Sequence, residues 1–462
     1  MTNKELNNCL LEYTKENITP KEEEWSFISG KYQELLNILE DKNCFQSGSC
    51  ARFTAIKPIN DLDVIWIISD EVKKSINSNS LNLQDILNDL ARKLEDEYEK
   101  IGVDVDIKPQ THSVGIYFGE SESEFSIDIV PAKNTGEKNE FDDYILEVPE
   151  ILFYSKKNRI KLYKSKKEIK WKKSDPKGYK EQIKRLHKKN DNLRKVIRFL
   201  KKWRWNCKRN YPNFPIKSFH LELIVKDIFE QNTDINFLNA VKLFYEKILD
   251  YIGEPQFLDR ADNSVHIDEY LKDVDDYDKH EVLELSGMAM VGIKQLEKFD
   301  VDNNIDDEIS TILSAKDQNE KFIYDSDFGY KVAIIEDLDF KINGKVIIKN
   351  LKKRDTLREY YLRDNYYNPI TIGNEIYFYI SDDSDVQGYS DNIRYYWKVK
   401  NRGREIINKE GKREPRGEIT LNQTASDPEA TAYNGIHFVE CYAIFENKCI
   451  AYDRLYIYIK KD

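Results

Sequence analysis

Cysteine is sparse and unpatterned in this chain. Six cysteines (Cys9, Cys44, Cys50, Cys207, Cys441 and Cys449) are spread over 462 residues, and no two form Cys-x-x-Cys. A zinc ribbon or a disulfide framework is therefore not expected, and a reducing compartment is the default. Long apolar runs are also missing: no stretch approaches the roughly 18 to 20 residues that a membrane span needs. The start, Met1-Thr2-Asn3-Lys4-Glu5, is polar and unlike a signal peptide. Positive charge is in deficit, 72 Lys and Arg against 83 Asp and Glu, and a net charge of −11 argues against a nucleic-acid coat protein. The six histidines (His112, His187, His220, His266, His280 and His437) are scattered. None reads as a ligand or base, and His220, beside Leu221 and Leu223, reads as a packed helix residue. Repeats and low-complexity tracts are absent. The expectation is a soluble cytoplasmic protein with no membrane partner. It is long enough for two or three domains, and 40% hydrophobic residues suffice for a large core.

What is present is a concentrated set of acids beside a glycine. Gly48-Ser49 is followed by Asp61-Leu62-Asp63 at the head of a run ending at Ile68. Gly48 lets backbone N–H groups approach a phosphate closely, and the Ser49 hydroxyl adds a donor. Asp61 and Asp63 are two apart on a predicted strand, so both carboxylates leave one face and can share hard divalent cations. A third acid sits in Phe125-Ser126-Ile127-Asp128-Ile129-Val130, where alternation sends Ile127 and Ile129 one way and Asp128 the other. Any one of these pieces is common in loops and strand ends. Three acids on otherwise apolar strands, where unpaired carboxylates are costly to desolvate, point to a metal site.

These residues resemble the polymerase-β-like nucleotidyltransferases, and more narrowly the bacterial cGAS/DncV-like group (CD-NTases, SMODS type). The resemblance runs from Ser47-Gly48-Ser49 through Thr54-Ala55-Ile56 and Asp61-Leu62-Asp63-Val64 to Asp128-Ile129-Val130-Pro131-Ala132. It continues at Trp171 to Asp175-Pro176, Arg198 to Trp203, and Lys217-Ser218-Phe219-His220-Leu221-Glu222, covering roughly residues 5 to 320. It implies nucleotidyl transfer, in which a hydroxyl attacks the α-phosphate of an NTP and pyrophosphate leaves. Two Mg²⁺ ions (or Mn²⁺) about 3.5–4 Å apart then stabilise the attacking and leaving oxygens. By the same resemblance Asp61 and Asp63 bridge both ions, Asp128 holds the ion that activates the attacking hydroxyl, and Gly48 and Ser49 cradle the β- and γ-phosphates. Lys201 and Ser218 stand where relatives place a lysine and a serine against the donor triphosphate; Lys201 reads equally well as a surface lysine on a basic helix. Asp259 begins a segment where relatives often have Asp-Pro, but Arg260 follows here.

The expected fold is an α/β (α+β) polymerase-β-like nucleotidyltransferase lobe, a helical lobe, and an all-β sandwich-like C-terminal domain. The boundaries are 1–190 for the catalytic lobe with its N-terminal helix, 191–320 for the helical lobe completing the cleft, and 321–462 for the β-rich domain. Thr19-Pro20 followed by Glu22, Glu23 and Glu24 reads as the start of a helix running to about Leu39. Strands are expected near 61–69, 103–108, 113–118 and 124–130, with a helix at about 82–100. Trp203 and Trp205 read as core. Asp300 to Glu308 reads as an acidic loop and Ser314 to Lys321 as a polar linker. Beyond these, Ile376/Phe378/Ile380, Ile393/Tyr395/Trp397/Val399, Phe438/Glu440/Tyr442 and Leu455/Ile457/Ile459 alternate as strands. Trp397-Lys398-Val399, Arg416-Gly417-Glu418-Ile419 and His437 to Tyr442 resemble the AGS-C sensor domain. Trp397, Arg404 and Arg416 are ligand-contact candidates by residue type, with Trp397 reading more readily as sandwich core.

Residues 156–209 hold 24 Lys or Arg against 4 Asp or Glu. This stretch, which includes Lys164, Lys166 and Lys167 with Tyr154, Tyr163, Trp171 and Tyr179 near or among the cations, reads either as a solvated face or as a cationic wall for triphosphates or nucleic acid. Three functions compete. The first is a synthase making a cyclic di- or trinucleotide from ATP, GTP or other NTPs, its product acting on a downstream effector in anti-phage (CBASS-type) defence. The second is a template-independent nucleotidyltransferase acting on RNA or protein, and the third a non-enzymatic scaffold. Nucleic acid is expected as an optional partner, not a requirement.

Overall fold

The computed structural model describes residues 1–39, 43–78, 83–110, 112–119, 125–151, 169–211, 214–274, 276–298, 305–316, 320–325, 327–334, 338–348, 353–357, 370–382, 384, 386, 392–402, 416–421 and 427–460. Lys164, Lys166, Lys167, Tyr154, Tyr163 and Arg404 lie outside them. The chain divides into two compact units, Met1–Ala315 and Lys316–Asp462.

The first unit begins with α1 (Asn3–Tyr13), which carries a capping box: the Thr2 hydroxyl accepts from the Glu5 N–H, and the Glu5 carboxylate accepts from the Thr2 N–H. This helix was missed, although Thr2-x-x-Glu5 signals it. It packs on the helices of the unit, where Asn7 Oδ1 accepts from the Leu238 N–H at 3.0 Å. Helix α2 (Glu22–Leu39) matches the expected element, with three acids in its first turn.

The sheet of this unit contains β1 (Cys44–Gln46), β2 (Asp61–Ile67), β3 (Val105–Pro109), β4 (Val114–Phe118) and β5 (Phe125–Lys138) in the order β1-β2-β5-β4-β3. The long β5 continues into a pairing with β6 (Tyr144–Ile151), which pairs with β7 (Ile169–Ser174). Short α3 (Gly48–Arg52) sits between β1 and β2, and α4 (Asp70–Asn77) and α5 (Leu83–Lys100) connect β2 to β3.

One face of this sheet is apolar. Leu62, Val64, Ile127, Ile129, Val114 and Ile116 are buried with Ile28, Leu35 and Leu39 of α2 and Leu87, Leu90 and Leu94 of α5. Each such side chain contributes roughly 1.5–3 kcal/mol when fully buried. Because strand side chains alternate, the same burial turns Asp61, Asp63 and Asp128 to the opposite face. A slip of one residue would drive the acids into the core. Register is therefore strongly fixed.

The helical part follows β7: α6 (Pro176–Lys189), α7 (Asn192–Asn210), α8 (Ser218–Gln231), α9 (Phe237–Gly253), α10 (Asp276–Leu296) and α11 (Ile305–Ser314). Helix α7 buries Leu193, Val196, Ile197, Phe199, Leu200 and Trp203. Trp203 is core, ringed by Phe214, Phe244 and Tyr245. Trp205 is not: it is 42% exposed, because two residues is more than half a helical turn and carries it off the buried stripe. The expected acidic loop at 300–308 also needs correction from residue 305 onward. Asp306, Asp307 and Glu308 form the first turn of α11, where the helix dipole favours carboxylates, and Ile309 and Leu313 bury its inner face.

The second unit is a sandwich of two sheets. One contains β9 (Ile342–Ile348), β10 (Lys353–Thr356), β12 (Glu375–Ile380) and β15 (Glu429–Ala430); the other contains β8 (Lys331–Val332), β11 (Ile370–Thr371), β13 (Arg394–Lys400), β14 (Arg416–Thr420), β16 (Gly435–Phe445) and β17 (Lys448–Lys460). Ile342, Val346, Ile376 and Phe378 of the first sheet share a core with Trp397, Val439, Cys441, Leu455 and Ile457 of the second. Trp397 is 2% exposed and so is no ligand contact. Arg416 is occupied by an ion pair with Glu429. Among the described residues no helix is long and apolar enough to cross a membrane.

Since each unit owns its core, a fragment ending at Ala315 is expected to remain folded. The Asn206 and Asn210 amides already bind the carbonyls of Leu313 and Ser314 at 2.7 and 2.8 Å, closing that end. A cooperative melt with a helical circular dichroism spectrum supports this; aggregation of the fragment refutes it.

Candidate active site

A cleft of about 730 Å³ runs between the acid-bearing face of the sheet and α7 and α8, and Gly48, Ser49, Asp61, Asp63, Lys201 and Ser218 all line it. Asp128 is not among its lining residues, but it is the direct register partner of Asp63 on parallel strands β2 and β5. The three sequence-predicted acids are therefore brought together, two at the cleft wall and one beside them.

The Gly-Ser segment is set against these acids by backbone geometry. The Ser47 N–H donates to the Asp63 carbonyl at 2.8 Å. Gly48 has φ +61°, and a Cβ on it would stand 1.7 Å from Asp63 Oδ2. Glycine is needed here twice, for the left-handed backbone and for the close approach. At the far end of α3, Phe53 also takes a left-handed φ of 58°, and Arg198 clamps that turn by donating to the carbonyls of Phe53 at 2.8 Å and Ala55 at 3.2 Å.

The acids are under electrostatic stress. Burial, together with the charges of Asp61 and Asp128, pushes the Asp63 carboxyl up to about 6. Burial and Asp61 raise Asp128 as well, opposed by a hydrogen bond from Gln110 Nε2 to its Oδ1 at 3.1 Å. Gln110 also donates to Tyr117 Oη at 2.8 Å, and Gly115 leaves room for the pair: a Cβ there would meet Gln110 Nε2 at 2.7 Å. Gln110 was missed, because it belongs to no motif and its link to Asp128 spans 18 residues.

Among the described residues no three His, Cys, Asp or Glu side chains stand ready-placed around one point to hold a metal ion. The acids form an open array instead. This donor set fits a hard divalent cation: oxygen ligands only, mutual repulsion for positive charge to relieve, and a glycine cradle against the most buried of them. Asp61, Asp63 and Asp128 are the residues that would hold it.

Behind the cleft lies a buried knot that the sequence did not reveal as a unit. Glu222 on α8 accepts from Arg52 Nε at 2.8 Å and Nη2 at 3.1 Å, from Thr54 Oγ1 at 3.0 Å, and pairs with Lys201 Nζ at 2.5 Å. Thr54 in turn bonds back to the Ser49 carbonyl through its N–H at 2.9 Å. Burial alone would raise the Glu222 carboxyl, but Arg52 and Lys201 outweigh it and hold it near about 2. Lys201 is thus neither a surface lysine nor a free phosphate ligand. It lines the cleft while anchored to Glu222, and burial pushes its ammonium down against that carboxylate's support. The signal in the sequence was Arg52-x-Thr54 with Lys201 and Glu222, four polar residues inside apolar surroundings.

Ser218 begins α8 at the cleft. Asp259 also lines the cleft, whereas Arg260 turns from it to Asp175 at 3.1 Å and Glu140 at 2.7 Å. His220 is buried with Nδ1 at 2.8 Å from Tyr270 Oη, a packed helix histidine as expected. Trp205 reaches the cleft lining, with Lys202 Nζ 4.4 Å above its ring.

The first unit has the fold of the polymerase-β-like nucleotidyltransferases. The structures of E. coli MS115-1 CdnC with ATP and of its CdnC:HORMA-deltaN complex each share that fold at TM-score 0.50 and 18% identity, over 67% of this chain and 96% of that chain. Residues 5–150 match the Second Messenger Oligonucleotide or Dinucleotide Synthetase (SMODS) domain, and residues 317–460 match the Adenylyl/Guanylyl and SMODS C-terminal sensor (AGS-C) domain. Each of these two matches spans less than half of the chain, so they are similarities of its N-terminal and C-terminal parts. The cyclic AMP-AMP-AMP synthase of Escherichia coli (strain MS 115-1) is 27% identical over 209 residues, 45% of this chain and 57% of that protein's length.

Two substitutions test the geometry. Gly48→Ala should displace Asp63 and lower Mn²⁺ affinity and any nucleotide-joining rate by about 100-fold, as misplacement by an ångström can. Gly30→Ala, where a Cβ meets nothing within 4 Å, is the silent control. Glu222→Gln leaves Arg52 and Lys201 buried against a neutral partner and should cost about 3–5 kcal/mol in denaturant melts. A loss below about 1 kcal/mol would mean that the knot is dispensable.

Proposed function

We propose that this chain is a nucleotidyltransferase that joins NTPs, ATP and GTP among them, into a cyclic di- or trinucleotide. The product would act on a downstream effector in anti-phage (CBASS-type) defence. The observation that carries the reading is the meeting of Gly48-Ser49 with Asp61 and Asp63 at one cleft, with Asp128 beside them as the strand partner of Asp63. The SMODS match supports the reaction class, and the cyclic AMP-AMP-AMP synthase relative supports a cyclic product of that kind.

The residues divide the work by their chemistry. Gly48 and Ser49 receive the donor triphosphate, the glycine by admitting close backbone approach and the serine by its hydroxyl. Asp61, Asp63 and Asp128 hold the divalent cations, Mg²⁺ or Mn²⁺, which when bound polarise the phosphoryl oxygens and the attacking hydroxyl. Lys201, held by Glu222, and Ser218 face the triphosphate from the helical side. The hydroxyl of the acceptor nucleotide adds to the α-phosphorus and pyrophosphate departs.

Incubation of purified protein with α-labelled NTPs and Mg²⁺ or Mn²⁺, followed by phosphatase, tests the reading. A small phosphatase-resistant nucleotide supports the synthase. Label appearing only on added RNA or protein would instead favour a template-independent transferase. Asp61→Ala with Asp63→Ala should abolish product while the melting temperature holds or rises, because clustered acids repel in the metal-free protein. Near wild-type product from that variant would remove the metal assignment. Ser49→Ala should cost about 10- to 100-fold in kcat/KM, one hydrogen bond to a charged group; an unchanged value takes Ser49 out of the site.

A further inference from the structure

The sheet face that carries the acids has a gap beside Asp128. Across β2, β5, β4 and β3 the register places Asp63 beside Asp128 beside Gly115 beside Lys108. The next row on the same face is Asp61 beside Ser126 beside Tyr117 beside Asp106. Gly115 is therefore the cross-strand neighbour of Asp128, and it brings no side chain to that carboxylate. It is not among the residues at positive φ, so no left-handed backbone demands glycine here. What glycine supplies at 115 is room. Lys108, at the end of the row, is turned to Asp106, with which it pairs at 2.6 Å.

A neutral amide fills that room. Gln110 stands in the turn between β3 and β4, where its backbone N–H donates to the Ser113 carbonyl at 2.8 Å. Its Nε2 donates to Asp128 Oδ1 at 3.1 Å and to Tyr117 Oη at 2.8 Å, and its Oε1 accepts from the Ser113 hydroxyl at 2.8 Å. An ionised carboxylate can only accept, so the NH₂ end of the amide must face Asp128, and both of its hydrogens are then used. The amide is gripped at both ends, by Tyr117 and by Ser113, which is itself 2% exposed. A Cβ at 115 would meet Nε2 at 2.7 Å and Tyr117 Oη at 2.8 Å, so the glycine is what admits the amide. A lysine or arginine in place of Gln110 would orient the carboxylate too, but its charge would repel any cation held there. The amide orients Asp128 without neutralising it.

We infer, on the metal reading of the three acids proposed above, that Gln110 is a positioning residue for Asp128. Through Asp128 it sets the divalent cation that activates the attacking hydroxyl, whereas the cation held by Asp61 and Asp63 without Asp128 does not depend on it. The two acids on neighbouring strands are thus placed by different devices. Asp63 is met by the close approach of Gly48, and Asp128 is held by the amide that Gly115 lets in. Pinning Oδ1 fixes the plane of the carboxylate, so its remaining lone pairs keep one direction. Groups that orient a metal ligand in this way are worth about 10- to 100-fold in metal affinity or activity.

The test reads bound metal as well as rate, on the full chain. Two Mn²⁺ ions about 3.5–4 Å apart are magnetically coupled. Electron paramagnetic resonance of the wild-type protein with Mn²⁺ and the non-reacting analogue α,β-methylene-ATP should therefore show a coupled pair. Gln110→Leu keeps the bulk of the side chain, removes both donors, and should leave a single-ion spectrum, the second Mn²⁺ binding about 10- to 100-fold more weakly. The kcat for nucleotide joining should fall by a similar factor while KM for ATP stays within about twofold, a split that general loss of structure would not give. Gly115→Ala pushes the amide aside from the neighbouring strand and should reproduce both effects, which keeps the test decisive where one variant fails to fold. A coupled pair and an undiminished kcat in either folded variant overturn the role of Gln110 alone. A wild-type protein with no coupled pair overturns the metal reading itself, and the role of Gln110 with it.

Discussion

The parallel pairing of β2 with β5, Asp63 opposite Asp128, is the constraint on which the cleft depends. Its register is enforced from the other side of the sheet, where Leu62, Val64, Ile127 and Ile129 are packed under α2 and α5. The acids themselves contribute nothing to holding this arrangement, and their mutual repulsion opposes it. Apolar burial therefore does the positioning and electrostatics sets the reactivity, with the two functions separated by the alternation of a strand. Gly48 depends on the same register, because its close approach is to Asp63 and its neighbour Ser47 binds the Asp63 backbone.

A second constraint ties the Gly-Ser segment to the helices. Glu222 collects Arg52, Thr54 and Lys201, which lie on the segment after Gly48 and on α7. Charge within the knot is two cations to one carboxylate, and the low-dielectric surroundings make each partner depend on the others. This explains why Lys201 can line a cleft for a polyanion and still be buried: its position is fixed by Glu222 before any ligand arrives. Pre-organisation of that kind is what electrostatic catalysis requires.

How much of this could be read in the sequence follows from what kind of signal each part leaves. The acids, the glycine and the strands that carry them were legible because alternation and an ordered motif constrain both type and spacing. Helix α2 was legible through its acidic first turn, and the sandwich through its period-two apolar strands. Trp205 was misread because composition gives a tryptophan's preference for burial but not the phase of its helix. The segment from 305 was misread as loop because its acids were taken for solvation instead of a helix start. Glu222 and Gln110 were invisible as site residues, since their partners are 170 and 18 positions away and no local pattern links them. Long-range polar contacts of this sort are specified by the fold, which must be known before they can be seen.

The two units solve opposite electrostatic problems with the same strand geometry. In the first, alternation places three carboxylates on the free face of a sheet whose other face is core, and the resulting excess of negative charge is left open at a cleft. In the second, alternation places Lys398 and Lys400 opposite Trp397, and Glu320 pairs with both of them. The difference lies in the cover. Hydrated cations can reach exposed carboxylates from solution without help, so the acidic face needs no lid. Buried lysines cannot be left against apolar neighbours, so the chain itself supplies the carboxylates, Glu320 and Glu440, that pair with them.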